Sequence, residues 1–276
     1  MFFRISIRGS LTKGLIPALL AALLLASSAL AMTEVRSIPT RPGVTLDFLY
    51  MTPEGKNAPK AALIMFPGGN GLLPFRLLDN GAVQGWNFLV RSAADFSRQG
   101  LTLATVNPPS DHASGMGTGF RESSEHAADI AALCGYLVSQ GVERIFLIGN
   151  SRGTLSAAAL AAWLTDPHVK GIILTSSLEY DNFMSWLPLD RIRMPVLMVH
   201  NSEDSCRVSQ ITAARKTAEI LKAHTTVDFV EIEGGAEPMS PPCDNLSSHG
   251  FFGVEAKVVR VIVDWISGKK VPDRVE

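Results

Sequence analysis

The stretch Arg144-Ile145-Phe146-Leu147-Ile148-Gly149-Asn150-Ser151-Arg152-Gly153 decides the fold. Residues 144–149 form a near-continuous apolar run, the pattern of a strand covered on both faces. Residues 152–165 are rich in alanine and read as a helix. Between them, Gly149-Asn150-Ser151-Arg152-Gly153 has the form G-x-S-x-G. Set between a strand and a helix, this pattern holds a serine hydroxyl on a sharp turn. A side chain at either glycine would crowd that turn. The helix N-terminus places a partial positive charge where an oxyanion would form. Ser151 is therefore the candidate nucleophile.

Working outward, strands and helices alternate. Residues 61–66, 101–106, 169–175, 195–200 and 227–232 read as strands, and 86–99, 123–140, 207–222 and 254–267 as helices. Thr45 to Tyr50 is expected as an antiparallel edge strand. Strand–helix alternation with doubly apolar strands predicts an α/β fold, a mostly parallel central sheet with helices on both faces. There is no internal repeat and no linker, so residues 32–276 are expected to form a single domain.

The elbow, and the order of groups after it, resemble the α/β-hydrolase superfamily over about residues 45–268. The resemblance implies the chain order Ser, acid, His. It places the acid after strand 195–200, where His200-Asn201-Ser202-Glu203-Asp204 stands. Asp204 takes the acid position, with Glu203 as its neighbour and Asp181 as the alternative after the preceding strand. His249, in Ser247-Ser248-His249-Gly250, follows the last long strand and takes the general-base position; His200 is expected to structure the acid loop. The resemblance assigns the oxyanion-hole donors to the N–H groups of Arg152 and Gly69, with Gly68 as the near alternative, in the loop Pro67-Gly68-Gly69-Asn70-Gly71. Pro67 departs from the histidine of the family's H-G-x pattern. In this fold the acid and base loops meet, which brings Cys206 and Cys243 within reach of a disulfide. Cys134, in an apolar helical pattern, is expected to stay a buried free thiol.

Arg4, Arg8 and Lys13, then the apolar run from Leu15, then Ala29-Leu30-Ala31, have the order of a cleaved signal peptide over residues 1–31. A periplasmic or secreted location is expected, with no stable membrane anchor after cleavage. The chain from Met32 has 22 basic and 26 acidic residues. That balance argues against a nucleic-acid partner, whose footprint is a basic excess. No P-loop and no H-E-x-x-H motif occurs, and Gly115-Met116-Gly117-Thr118-Gly119 lacks dinucleotide-loop spacing. No cofactor and no metal are expected. His126 and Asp129 read as a solvated helix face, and Phe251 and Phe252 as packing beneath the His249 loop.

Only residues 176–194 separate strand 169–175 from the next, where the resemblance places a larger insertion in members with a lid, so a lidless site is expected. The loops 70–85, 107–123 and 234–248 are expected to shape the site. Met116, Phe75, Leu72, Leu73 and Trp186 are candidates for an apolar acyl pocket. Arg152 either pairs with an acid beneath the site or faces an anionic substrate group. The expected activity is hydrolysis of a small-molecule carboxylic ester by a serine carboxylesterase-like enzyme. A peptidase or amidase with the same triad, and a silent binding protein on the same scaffold, are the alternatives.

Overall fold

The computed structural model describes residues 32–53, 60–73, 75–77 and 83–276; the expected signal peptide lies outside them. Among the described residues nine strands form one sheet: β1 (Met32–Arg41), β2 (Val44–Thr52), β3 (Ala61–Phe66), β6 (Thr102–Val106), β7 (Arg144–Asn150), β8 (Val169–Thr175), β9 (Val196–Asn201), β10 (Val227–Ile232) and β11 (Arg274–Val275). A separate hairpin pairs β4 (Phe75–Leu77) with β5 (Val83–Gly85). The sheet order is β1-β2-β6-β3-β7-β8-β9-β10-β11. From β6 through β11 every pair is parallel, whereas β1 with β2 and β2 with β6 are antiparallel. The α/β expectation of a mostly parallel sheet is met.

Successive strand residues point to opposite faces, and the core divides accordingly. Ile145 and Leu147 of β7 join one apolar cluster with α4 (Ser124–Ser139), α5 (Gly153–Trp163) and α6 (Ile211–Lys222). Phe146 and Ile148 join a second with α1 (Phe88–Arg91), α2 (Ala93–Arg98) and α7 (Glu255–Ile266). Burial on both faces is why these strands read as unbroken apolar runs. Phe251 belongs to the second cluster, its ring centroid 5.0 Å from that of Phe88.

Three expectations are corrected. The strand at 45–50 is antiparallel but not at the edge, because β1 covers it. No residue of β1 is fully buried and Pro39 interrupts it, so it lacks the apolar signature of an inner strand. The helix expected over 86–99 is two short helices meeting at Ser92, the first capped by Asn87, whose Oδ1 accepts from the Leu89 N–H at 3.0 Å. His126 and Asp129 of α4 are buried, not solvated. Asp129 accepts hydrogen bonds from Arg41 Nε at 2.8 Å and Nη2 at 3.0 Å. His126 packs against Phe66 and Phe120. α4 thus holds the edge hairpin through an ion pair whose carboxylate is buried and whose guanidinium is partly exposed.

Candidate active site

β7 ends in the elbow. Ser151 has φ 54, in the left-handed region that a residue with a Cβ adopts only when its surroundings enforce it. The enforcement is steric. A Cβ on Gly149 would lie 2.3 Å from the Gly153 carbonyl oxygen, and one on Gly153 would lie 1.9 Å from the Phe66 carbonyl oxygen. Only two glycines allow the turn to fold against itself and against β3. The Ser151 N–H donates to the Thr175 carbonyl at 3.0 Å, and Thr154 Oγ1 donates to the Ser151 carbonyl at 2.6 Å.

The acid loop follows β9. Asp204 Oδ1 accepts from the Cys206 N–H at 2.9 Å, and Oδ2 from Ser209 Oγ at 3.3 Å. Asp204 Oδ2 lies 2.9 Å from His249 Nδ1, and both side chains are buried. Glu203 is exposed. A carboxylate only accepts, so His249 donates to it from Nδ1, and its other ring nitrogen is Nε2. That Nε2 is buried and has no hydrogen-bond partner. Ser151 and His249 line one cleft of about 630 Å³. Ser151 Oγ and His249 Nε2 border the same cleft without a hydrogen bond between them.

The His249 loop is clamped from three sides. Ser176 Oγ, just after β8, donates to the His249 carbonyl at 2.7 Å. Arg91 Nη2 donates to the Gly250 carbonyl at 2.8 Å, and its Nη1 to the Asn245 carbonyl at 3.1 Å. Cys206 and Cys243 are joined in a disulfide, with Cα atoms 4.6 Å apart. His200 structures the acid loop, its Nε2–H donating to the Ser209 carbonyl at 2.7 Å. Burial holds its pKa below the ordinary histidine value. Cys134 is a buried free thiol, pushed up to about 12 by burial.

No family model and no curated protein matches the chain. Solved structures do. A lidless α/β serine hydrolase from Xanthomonas campestris matches at TM-score 0.55 and 17% identity, over 88% of this chain and 96% of that one. An esterase from Pyrococcus furiosus matches at TM-score 0.58 and 13% identity, over 87% and 93%. A puromycin hydrolase matches at TM-score 0.56 and 15% identity, over 87% of this chain; the match spans only 40% of that protein. The chain has the α/β-hydrolase fold.

The loop after β3 borders the same cleft as Ser151 and His249. Here Gly68 lies against Ser151: a Cβ on it would sit 3.0 Å from Ser151 Cβ and 3.6 Å from Oγ, while Gly69 faces open space. The loop is held by a residue that sequence reasoning missed. Arg121 ends the short helix α3 (Thr118–Arg121) and is 1% exposed. Its Nη1 donates to Ser156 Oγ at 2.9 Å, and its Nη2 to the Pro67 and Gly69 carbonyls at 3.1 and 3.5 Å. Burial, and then the like charge of Arg152, lower its pKa to about 9, so it stays charged at neutral pH. An arginine between Phe120 and Glu122 reads as surface; no local pattern marked it as interior.

The cleft wall also departs from expectation. Leu72 and Leu73 line it, but Met116 is fully buried and Trp186 lies elsewhere, 73% exposed. The side chain of Phe75 is outside the described residues. Trp86, unremarked in the sequence, lines the cleft and is 64% exposed. Asp204, Cys206 and His249 bring donor atoms within 4.8 Å of one another. The sulfur is committed to a disulfide and the other two to their hydrogen bond, so this donor set does not suit a metal.

Proposed function

We propose that this protein is a serine hydrolase that cleaves carboxylic esters through an acyl-enzyme on Ser151. The observation that carries the reading is the buried Asp204–His249 pair, with an unpartnered Nε2, opening on the same cleft as the strained Ser151. In this reading His249 Nε2 takes the Ser151 proton as Oγ attacks the acyl carbon, and Asp204 holds the tautomer and stabilises the imidazolium. His249 then returns the proton to the leaving alcohol, and water releases the acid by the same steps. The Arg152 N–H and a donor of the 68–70 loop, Gly69 by position, would meet the oxyanion. The esterase and serine hydrolase among the structural neighbours support the reaction class. The signal-like N-terminus and the disulfide support export to the periplasm or exterior.

The test is fluorophosphonate labelling followed by peptide mass spectrometry, together with turnover of p-nitrophenyl acetate. Ser151 should carry the label. Ser151→Ala should lose several decades of kcat while keeping the wild-type circular dichroism spectrum. Labelling elsewhere, or a variant retaining more than about a tenth of kcat, would remove Ser151 from the role. Turnover of peptide p-nitroanilides in preference to esters would select the amidase reading.

A further inference from the structure

We infer that the alcohol half of the substrate is a sugar, the ester being a small acyl group on a carbohydrate hydroxyl. This rests on the Ser151 esterase reading and concerns the walls of the same cleft. Five asparagines line it; Asn87 and Asn150 spend their Nδ2 groups on Asn245 Oδ1 and Thr175 Oγ1, while the other three have their oxygens committed to the protein. Asn70 Oδ1 accepts from the Leu72 N–H at 3.2 Å, Asn107 Oδ1 from the Leu73 N–H at 3.2 Å, and Asn245 Oδ1 from Asn87 Nδ2 at 3.3 Å. Pinning the oxygen orients the amide, and the Nδ2 groups of all three are left to donate, with no acceptor among the described residues. Beside them stand the exposed carboxylate of Asp244 and the exposed indole of Trp86.

A ligand for these walls must offer several oxygen acceptors and hydroxyl donors, and an apolar face for the indole. A pyranose has all three: hydroxyls that both accept and donate, a ring oxygen, and a face of C–H groups. Among the described residues no lysine or arginine lines the cleft, so none of them offers an anionic ligand a cationic partner. A long acyl chain needs an apolar wall, and these carboxamides interrupt it. An extended peptide is read along an exposed strand edge, whereas loops supply the residues here. Turnover is then ordinary hydrolysis. Ser151 Oγ bonds to the acyl carbon, the sugar oxygen leaves with the proton from His249, and water frees the acid.

The experiment compares kcat/KM of the full chain on an O-acetylated xylo-oligosaccharide, hexyl acetate and a peptide p-nitroanilide, with p-nitrophenyl acetate as the general ester. The sugar acetate should exceed hexyl acetate at least tenfold. Its advantage should fall at least tenfold in Trp86→Ala and in the double variant Asn107→Ala, Asn245→Ala, each checked for wild-type melting. Ser151-dependent turnover of p-nitrophenyl acetate with hexyl acetate or the anilide equal to or above the sugar ester would overturn the sugar assignment and leave the esterase reading standing. An unchanged preference in both variants would also overturn it. No turnover of any ester, with no fluorophosphonate label, would overturn both.

Discussion

Breaking the Cys206–Cys243 disulfide should cost stability and misalign the acid and base together. The bond closes a loop with a sequence separation of 37. For that length the chain-entropy model gives about 4 kcal/mol at room temperature, as an upper value. For a domain of this size each kcal/mol moves Tm by roughly 2–4 °C, so the double variant Cys206→Ala, Cys243→Ala should melt about 8–16 °C lower. The functional consequence follows from what each cysteine adjoins. The Cys206 N–H holds Asp204 Oδ1, and Cys243 stands in the cleft wall six residues before His249. Freeing that tether loosens the Asp204–His249 hydrogen bond, and a small misplacement of a catalytic group costs on the order of tenfold or more. The assay is differential scanning calorimetry of wild type and variant, with kcat for p-nitrophenyl acetate measured well below both melting temperatures. A Tm change under about 3 °C would refute the entropic argument. Undiminished kcat in a variant that does melt early would refute the coupling to the site.

The acid assignment separates cleanly from its neighbour. Asp204→Asn should lower kcat by several decades through the wrong tautomer, whereas Glu203→Gln, at an exposed position, should change it less than about threefold; the reverse order in steady-state kinetics would reassign the acid. Arg121→Met should leave the Pro67, Gly69 and Ser156 acceptors without their donor, destabilising the fold by about 1–3 kcal/mol for each that stays unpaired. It should lower kcat about a hundredfold with less change in KM, since an oxyanion donor acts on the transition state; urea melts and steady-state kinetics of the variant check both. His126, its pKa pulled to about 3 by burial, binds no proton in the fold where the unfolded chain does. Its contribution is therefore complete above about pH 6.5 and falls by about 1.4 kcal/mol per pH unit below it. Urea melts at pH 7 and pH 4.5 should show this slope, and His126→Phe should flatten it.

Much of the frame was legible in the chain, for local reasons. Residues 61–66 and 227–232 are strands with the bounds their apolar runs imply. The elbow is legible because its constraint lies within five residues: two glycines pack a strand end onto a helix start. The order Ser151, Asp204, His249 came from the family resemblance, laid over strands that were themselves recognisable. The meeting of Asp204 with His249 across 45 residues was implied only by that resemblance, because nothing local to either residue encodes it. It depends on β9 lying beside β8 and β10, and on Ser176, Arg91 and the disulfide holding the base loop against the acid loop. Side chains whose environment is made by distant segments were misread for the same reason. Met116 and Trp186 look equally apolar in the sequence, yet packing buries the first and turns the second away from the cleft. Trp86 looks like a helix residue and stands in the cleft wall. Arg121 carries a charge that composition assigns to the surface. Only the folded loop after β3 supplies the carbonyl groups that make its burial tolerable, because hydrogen-bond partners for a buried cation are a property of the assembled interior and not of the neighbouring residues.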